Sequence, residues 1–247
     1  MLNQAYIQKN SDIEGWVRAH LSKKQTLDLQ YKKEPKQARA KATCHAIIQA
    51  SAQVLEEEGY AGLTTNGIAE RAGVSIGSVY EYFPGKEAIV AAVATRLVES
   101  MLAKMQAALQ HAETLALEEA MRTWIYSLYG ISREEHRLLK VLLFQVPFIY
   151  QVPAVAGMRT ELFRLALVGA SKTREQYLIQ LSRESLYLIT TMTGATLLQM
   201  ALMPPPGLNL NAVLDELTQK MLQWLYQVRD ENSAQASPSL GQDSTVS

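Results

Sequence analysis

The stretch that decides the fold, residues 64–87, reads TTNGIAERAGVSIGSVYEYFPGKE. Two short helical patterns, at about 65–72 and 76–82, are separated by a turn that contains Gly73. Glycine supplies the positive φ that a tight corner between two helices requires. Two short helices joined in this way form a helix-turn-helix, whose second helix enters the major groove of DNA. The sequence therefore predicts a DNA-binding motif at residues 64–83.

The composition of the whole chain is typical of a helical protein. Apolar residues make up 48% of the 247 residues, which excludes wholesale disorder. Helix-forming residues dominate, and no long stretch alternates β-branched or aromatic residues with polar ones. We therefore expect an all-α protein.

The sequence on both sides of the motif predicts further helices. Residues 36–58 carry apolar side chains at helical spacing, and Gly59 is placed to end this helix in a left-handed cap. Ser132-Arg133-Glu134-Glu135 has the spacing of a capping box, so we expect a helix to start there. Other helices are expected from Lys86 onward, at about 114–130, 154–168, 173–202 and 210–229, and in short form around 12–21.

The segment before the motif is basic although the whole chain is neutral. The 24 Lys and Arg residues balance 24 Asp and Glu residues. Between Tyr31 and Lys41, however, five basic residues stand against Glu34 alone. A basic run is usually a solvated face, but beside a DNA-reading motif it can contact phosphates or the minor groove. We predict DNA contacts for Lys36 and Arg39, with a solvated tether as the alternative.

Several classes of protein find no support in the sequence. The single cysteine, Cys44, excludes an internal disulfide framework and suits the cytoplasm. The most apolar stretch, residues 138–158, is too interrupted to span a membrane, and the first residues lack a signal-peptide pattern. Cys44-His45 has no further ligands at metal-binding spacing, so no metal or cofactor is expected. No phosphate loop or catalytic ordering is present, and we expect no enzymatic activity.

The motif also resembles a known family. Together with IIQASAQVLEEEGY at residues 47–60, it is similar to the DNA-binding domain of the tetracycline-repressor (TetR) family. Shared points include Gly-Tyr, Ile-Ala, Ala-Gly-Val-Ser, Tyr-Phe and Lys-Glu at matching spacing over residues 47–87. The sequence departs from the family at Ser51, at Leu55, and at Gly67, where an acid often completes a helix cap. Glu81 adds a negative charge to the recognition helix, and we expect it to face away from DNA or to pair with Arg71.

The resemblance implies a homodimer whose two recognition helices read adjacent major grooves of a palindromic operator. With the helix pattern, it implies an extension at 1–35, a three-helix DNA-binding domain at 36–98, a larger helical effector-binding and dimerisation domain at 99–229, and a disordered tail at 230–247. Ile76 is expected to face base edges, where it could contact a thymine methyl group. The full set of predicted contacts in the motif comprises Thr64, Thr65, Ser75, Ile76, Gly77, Ser78, Tyr80, Tyr82 and Lys86.

Aromatic and methionine residues lie on the segments that, by resemblance, surround an effector cavity. Each of them could equally be a core residue. Few cations lie among them, which favours an apolar effector over a polyanion. The predicted effector-binding residues are Trp124, Tyr129, Phe144, Phe148, Met158, Phe163, Tyr187 and Met192.

Two helical faces are predicted to form the dimer interface. One carries Thr190, Gly194 and Leu197, and the other carries Leu217, Met221 and Trp224. The favoured function is a repressor that a small, largely apolar effector releases from operator DNA. The alternatives are a DNA-binding regulator controlled by a protein partner, and a helical enzyme or carrier with a vestigial motif.

Overall fold

The computed structural model of the chain describes residues 27–177 and 179–236. Within these ranges the chain forms nine α-helices, one 3-10 turn and no strand, which confirms the all-α prediction. The predicted helix at 12–21 and the tail beyond 236 lie outside the described residues. The helices are α1 (Ala38–Gly62), α2 (Thr65–Ala72), α3 (Ile76–Tyr82), α4 (Lys86–Ala112), α5 (Leu117–Glu134), α6 (His136–Gln145), α7 (Pro153–Tyr177), α8 (Arg183–Leu202) and α9 (Leu210–Ala236), with the 3-10 turn at Ile149–Gln151.

A three-helix domain at the N-terminal side packs around side chains with no exposed surface. Leu55 of α1, Ile68 of α2 and Val79 of α3 are all 0% exposed. The chain breaks its helical path at Gly59, where φ is 72° and ψ is −177°, and then completes a last turn to Gly62. The sequence correctly marks Gly59 as the site of positive φ, but α1 resumes after it instead of ending.

Helix α4 joins this domain to the rest of the protein. Its first turns bury Ile89 and Val90 in the core of the three-helix domain, where α4 packs against α1, and its later turns bury Met101 and Met105 in the larger domain. All four side chains belong to one hydrophobic cluster that runs from Cys44 to Leu165. Since a close-packed interior transmits displacement rather than absorbing it, α4 links the two parts of the protein mechanically.

The predicted capping box at Ser132 is wrong. Helix α5 continues through Ser132 to Glu134, and the Ser132 hydroxyl donates to the carbonyl of Leu128 at 3.0 Å. Ser132 is only 7% exposed. Burial therefore holds it inside the helix, where a Ser side chain can bond back to the preceding turn. Helix α6 begins at His136 without a side-chain cap.

The last three helices differ from their predicted bounds. Helix α7 runs on to Tyr177, and α8 starts later than expected, at Arg183. Ser182 caps α8 by accepting a hydrogen bond from the N–H of Ser185 at 3.0 Å. Helix α9 extends to Ala236, so residues 230–236 are helical rather than part of a disordered tail. Its polar last two turns lack the apolar periodicity from which a helix is predicted.

Helix α8 is the most apolar helix among the described residues. By length and composition alone it could cross a membrane, with a mean hydropathy of 1.2 over 18 residues, but only 33% of that window is buried. It packs against α5, α6, α7 and α9, and Leu197 and Met200 are buried. Leu188 and Met192 on another side are 47% and 56% exposed. One apolar face of α8 therefore has no partner within the protomer.

Candidate nucleic-acid interface

The turn between α2 and α3 has the geometry that its residues predict. Thr64 caps α2 by accepting the N–H of Gly67 at 3.1 Å, and Ser75 caps α3 by accepting the N–H of Ser78 at 3.0 Å. Gly73 lies in the left-handed region, with φ 66° and ψ 31°. These side-chain caps satisfy helix N–H groups that would otherwise lack partners. The two helices are therefore fixed relative to each other by local bonds as well as by the core.

One face of α3 is open to solvent. Ile76 is 39% exposed and Tyr80 is 46% exposed, which is unusual for side chains of their size on a helix with a buried face. The Tyr80 hydroxyl lies 3.1 Å from the Thr65 hydroxyl, so the two predicted contacts share one hydrogen bond. Gly77 and Ser75 are exposed on the same helix end, and Ser78 is half-buried. The face offers hydroxyl groups and one apolar side chain.

Tyr82 differs from Tyr80, although the sequence treats them alike. Tyr82 is 8% exposed, and its ring belongs to the hydrophobic core with Phe83. Two residues apart on a helix, the tyrosines point in different directions. A contact of Tyr82 with DNA stays a prediction that would have to use the small part of the side chain that reaches solvent.

Lys86, another predicted contact, is half-buried at the start of α4. Its Nζ lies 4.7 Å from the centre of the Tyr60 ring and donates to the carbonyl of Leu63 at 3.4 Å. The Tyr60 hydroxyl in turn donates to Glu87 at 3.5 Å. Burial, then the negative charge of Glu87, raises the pKa of Tyr60. Lys86 therefore ties the start of α4 to the end of α1.

The basic segment before α1 is fastened to the end of the recognition helix. The N–H of Lys32 donates to the carbonyl of Tyr82 at 2.8 Å, and the ring of Tyr31 lies 4.9 Å from that of Phe83. Lys33 forms an ion pair of 2.8 Å with Glu81, which raises the pKa of the lysine. Sequence reasoning missed this docking because the paired residues are far apart in the chain and no local pattern joins them.

The predicted pairing of Glu81 with Arg71 is wrong. Arg71 instead pairs with Glu57 at 2.7 Å and approaches Glu58 at 3.7 Å, both at the end of α1. Arg71, in the last turn of α2, therefore faces α1, and Glu81 pairs with Lys33 instead. Because these ion pairs are exposed, they add little to the free energy of unfolding and mainly hold the side chains in one orientation.

Lys36 and Arg39 flank the start of α1. Both are exposed, and neither side chain has an ion-pair partner among the residues that the structure describes. Cations without a carboxylate partner remain available to phosphate groups. Their contact with DNA stays a prediction.

Cys44 and His45 behave as structural residues. Cys44 is 3% exposed in the core, and burial raises the pKa of its thiol to about 11. His45 Nε2 lies 2.6 Å from Nη2 of Arg96. Across the described ranges, no three His, Cys, Asp or Glu residues are grouped as metal ligands.

Two neighbouring cavities occupy the larger domain. The larger, about 610 Å³, lies between α4, α6, α7 and α8, and the smaller, about 190 Å³, lies between α5, α7, α8 and α9. Of the predicted effector residues, Met158, Phe163 and Tyr187 line the larger cavity and Trp124 lines the smaller. Half of the predicted set therefore lines a cavity, and a role of these residues in effector binding stays a prediction.

The other four predicted effector residues line neither cavity. Phe148 is 3% exposed and packs in the core, with its ring 6.1 Å from that of Tyr60. Phe144 and Met192 are each 56% exposed, and Tyr129 packs in the cluster around Ile125. Apolar character alone does not tell which side of a helix meets a cavity.

The predicted dimer residues mostly face inward. Leu197 and Met221 are 2% and 7% exposed and pack in one cluster within the protomer. Thr190 and Gly194 line both cavities. Leu217 and Trp224 are half-buried against the same cluster.

The fold and the exposed face of α3 define a helix-turn-helix DNA-binding protein with a second, larger helical domain. Residues 47–93 match the profile of the family described as bacterial regulatory proteins, tetR family. Over these residues the chain therefore carries a DNA-binding domain of the TetR type. None of the curated proteins compared with the chain matches it.

Solved structures support the same fold beyond the DNA-binding domain. A protein of Mesorhizobium loti described as a TetR-family transcriptional regulator is 16% identical, with a TM-score of 0.62 over 78% of this chain and 98% of that one. The fatty acid degradation regulator FadR of Bacillus halodurans is 18% identical, with a TM-score of 0.56 over 75% and 95%. FadR of Bacillus subtilis, solved in complex with stearoyl-CoA, is 18% identical, with a TM-score of 0.54 over 71% and 95%. Likeness at these identities shows the fold alone.

Proposed function

We propose that the protein is a homodimeric repressor, and that an apolar effector in the larger cavity releases it from a palindromic operator. The observation that carries the proposal is the course of α4. This helix begins at Lys86, directly after the helix-turn-helix, and lines the larger cavity with Leu97, Met101 and Met105. A ligand that binds better to one position of α4 shifts the population toward that position. The recognition helices of the dimer would then no longer match successive major grooves.

A second contact supports coupling between the cavity and the DNA-binding domain. Leu142 and Leu143 of α6 line the larger cavity. At the end of the same helix, Gln145 Oε1 accepts the N–H of Tyr60 in α1 at 3.0 Å. Displacement of α6 by a ligand would therefore strain or break a direct bond to the DNA-binding domain.

The lining of the larger cavity favours an apolar effector. Among the residues that line it, Arg159 is the one with a formal charge. Its volume falls in the range of small-molecule sites. FadR of Bacillus subtilis, which shares the fold, is described in complex with stearoyl-CoA, and this favours a ligand with a long apolar chain.

Dimerisation is proposed through the open face of α8. Leu188 and Met192 are large apolar side chains exposed on a helix that is only one-third buried. Contiguous apolar surface of this kind marks an interaction site. A second copy packing on this face would form a two-fold interface, and Leu217 and Trp224 of α9 remain predicted members of it. The dimer would present its recognition helices about 34 Å apart, one turn of DNA.

We further propose that residues 36–98 form the DNA-binding domain, that residues 99–229 form the effector-binding and dimerisation domain, and that the protein acts in the cytoplasm.

Selection of bound DNA from a random pool tests the DNA-binding part. We expect a palindrome with half-sites one helical turn apart, and affinity that falls steeply as salt rises. Recovery of unrelated sequences at every salt concentration would refute specific operator binding.

The effector part is tested separately on the selected operator. A thermal-shift screen of apolar compounds, followed by operator release in fluorescence anisotropy, should identify compounds that both stabilise the protein and free the DNA. Compounds that stabilise the protein without releasing the operator would contradict this mechanism. They would favour control by a protein partner instead.

A further inference from the structure

The recognition helix carries no cation of its own. Residues 75–83 contain neither Lys nor Arg, and Glu81 adds a negative charge. Glu81 lies four residues after the exposed Gly77, so the two share one side of α3, next to the side on which Ile76 and Tyr80 are exposed. The backbone carbonyls at the end of a helix add further negative potential. By itself, the end of α3 would therefore repel the phosphates of DNA.

The segment at residues 29–36, which we call the arm, covers this end of α3. The ring of Tyr31 lies 4.9 Å from the ring of Phe83, which is fully buried directly after the helix. The N–H of Lys32 donates to the carbonyl of Tyr82 at 2.8 Å. This bond satisfies one of the carbonyl groups that the end of a helix leaves without a partner. The arm is therefore anchored by an aromatic contact and a backbone hydrogen bond.

The arm also reverses the charge at this end of α3. Lys33 pairs with Glu81 at 2.8 Å and offsets its charge. Lys32 and Lys36 are exposed, and neither forms an ion pair with a residue in the described ranges. The three lysines of the arm outweigh Glu34 and Glu81 together. Cations thus stand beside a helix end that would otherwise be negative.

The arm lies where a phosphate strand is expected when α3 occupies the major groove. At the usual rise of a helix, Ile76 and Tyr82 are about 9 Å apart along the axis, and the groove is about 12 Å wide. With the first turn of α3 at the base edges, the other end of the helix therefore lies at the edge of the groove. The long side chains of Lys32 and Lys36 can reach phosphate oxygens from there.

We infer that the arm is a second DNA-contacting element, which supplies the cations that α3 lacks and binds phosphates at the edge of the major groove through Lys32 and Lys36. The inference rests on the proposed function, because it assigns a further part of the same DNA-binding surface. The arm precedes residues 47–93, the part that matches the family profile. Because Tyr31 docks the arm before DNA arrives, less freedom is lost when DNA binds.

The first test measures operator affinity against salt concentration for variants of the full-length protein. Lys32→Gln and Lys36→Gln should each lower the slope of log K against log salt concentration by about one released ion for each protomer. Lys140→Gln is the matched control, because Lys140 is also exposed, has no ion pair with a described residue and lies in α6 of the larger domain. Its slope should equal that of the wild type. Wild-type slopes for both arm variants would overturn the inference and leave the arm as a solvated tether.

The second test asks whether docking positions the lysines. Tyr31→Ala removes the ring that contacts Phe83 and leaves every charge in place. It should weaken operator binding on the order of tenfold, because the arm must then be ordered when DNA binds. In this background Lys32→Gln should cost less affinity than in the wild type, since the two residues act together. An equal cost in both backgrounds would show that DNA binds an undocked arm, which overturns the inference. If Tyr31→Ala does not fold, the lysine variants decide.

The outcomes separate this inference from the proposed function. If the operator is selected but Lys32→Gln and Lys36→Gln bind it like Lys140→Gln, the arm is overturned and the repressor proposal stands. If the wild type selects no operator, specific binding fails, and the same variants are compared on duplex DNA of random sequence. Phosphate contacts do not depend on sequence. A lower slope for the arm variants on that DNA would therefore still support the inference, and an unchanged slope would overturn it.

Discussion

Replacement of Gly59 by alanine should destabilise the protein more than any ordinary surface substitution. At this residue φ is 72° and ψ is −177°, a region of backbone conformation that is almost restricted to glycine. An added Cβ atom would also lie 2.5 Å from Oε1 of Gln145. That same oxygen accepts the N–H of Tyr60 at 3.0 Å. The alanine therefore strains the backbone and displaces the acceptor of the adjacent hydrogen bond.

The two effects can be sized separately. A residue held in such a backbone region costs about 1–3 kcal/mol. Loss of the hydrogen bond from Tyr60 to Gln145 costs about 0.5–1.5 kcal/mol. We expect Gly59→Ala to lower the free energy of unfolding by about 1.5–4.5 kcal/mol and the Tm by roughly 3–18 °C.

A double-mutant cycle in urea, at fixed protein concentration, divides the total into its parts. In a Gln145→Ala background the clash and the hydrogen bond are both gone, so Gly59→Ala should cost only the backbone part. Gly130→Ala is the control, because Gly130 lies in a regular helix with room for a Cβ, and this variant should gain up to about 1 kcal/mol. A loss below about 0.5 kcal/mol for Gly59→Ala would refute the argument from backbone strain.

Three further predictions follow from the DNA-binding domain. Tyr80→Phe removes an exposed hydroxyl. It should weaken operator binding on the order of tenfold and leave the Tm unchanged. If fluorescence anisotropy gives the variant and the wild type the same affinity, the Tyr80 hydroxyl does not contact the operator. Glu81→Gln frees Lys33 from its ion pair. This variant should bind the operator more tightly, and its affinity should depend on salt concentration more steeply, by about one released ion. An unchanged slope of affinity against salt concentration would show that this pair lies away from the phosphates. The raised pKa of Cys44 means that the folded thiol keeps its proton to higher pH than the unfolded one, so stability should fall as pH rises from 9.0 toward about 11. A Cys44→Ala variant that shows the same fall in urea titrations would assign it to another group.

Local chemistry was sufficient to predict the motif. Thr64, Gly73 and Ser75 are placed by hydrogen bonds and φ angles that depend on residues at most a few positions away. Such short-range constraints depend only on the order of neighbouring residues, and this is why the helix-turn-helix and its TetR-type domain could be predicted from about forty residues. The helical class followed from composition for a similar reason.

Contacts between distant segments could not be predicted in this way. The docking of Tyr31 and Lys33 on α3, the bond from Tyr60 to Gln145 and the helical state of Ser132 all depend on which helix faces meet. The same is true of the cavities, where an apolar side chain can equally face the core, a cavity or solvent. Sequence periodicity shows that a helix has an apolar face, but only the packing of the helices decides what that face contacts, because packing depends on the shapes of several segments at once.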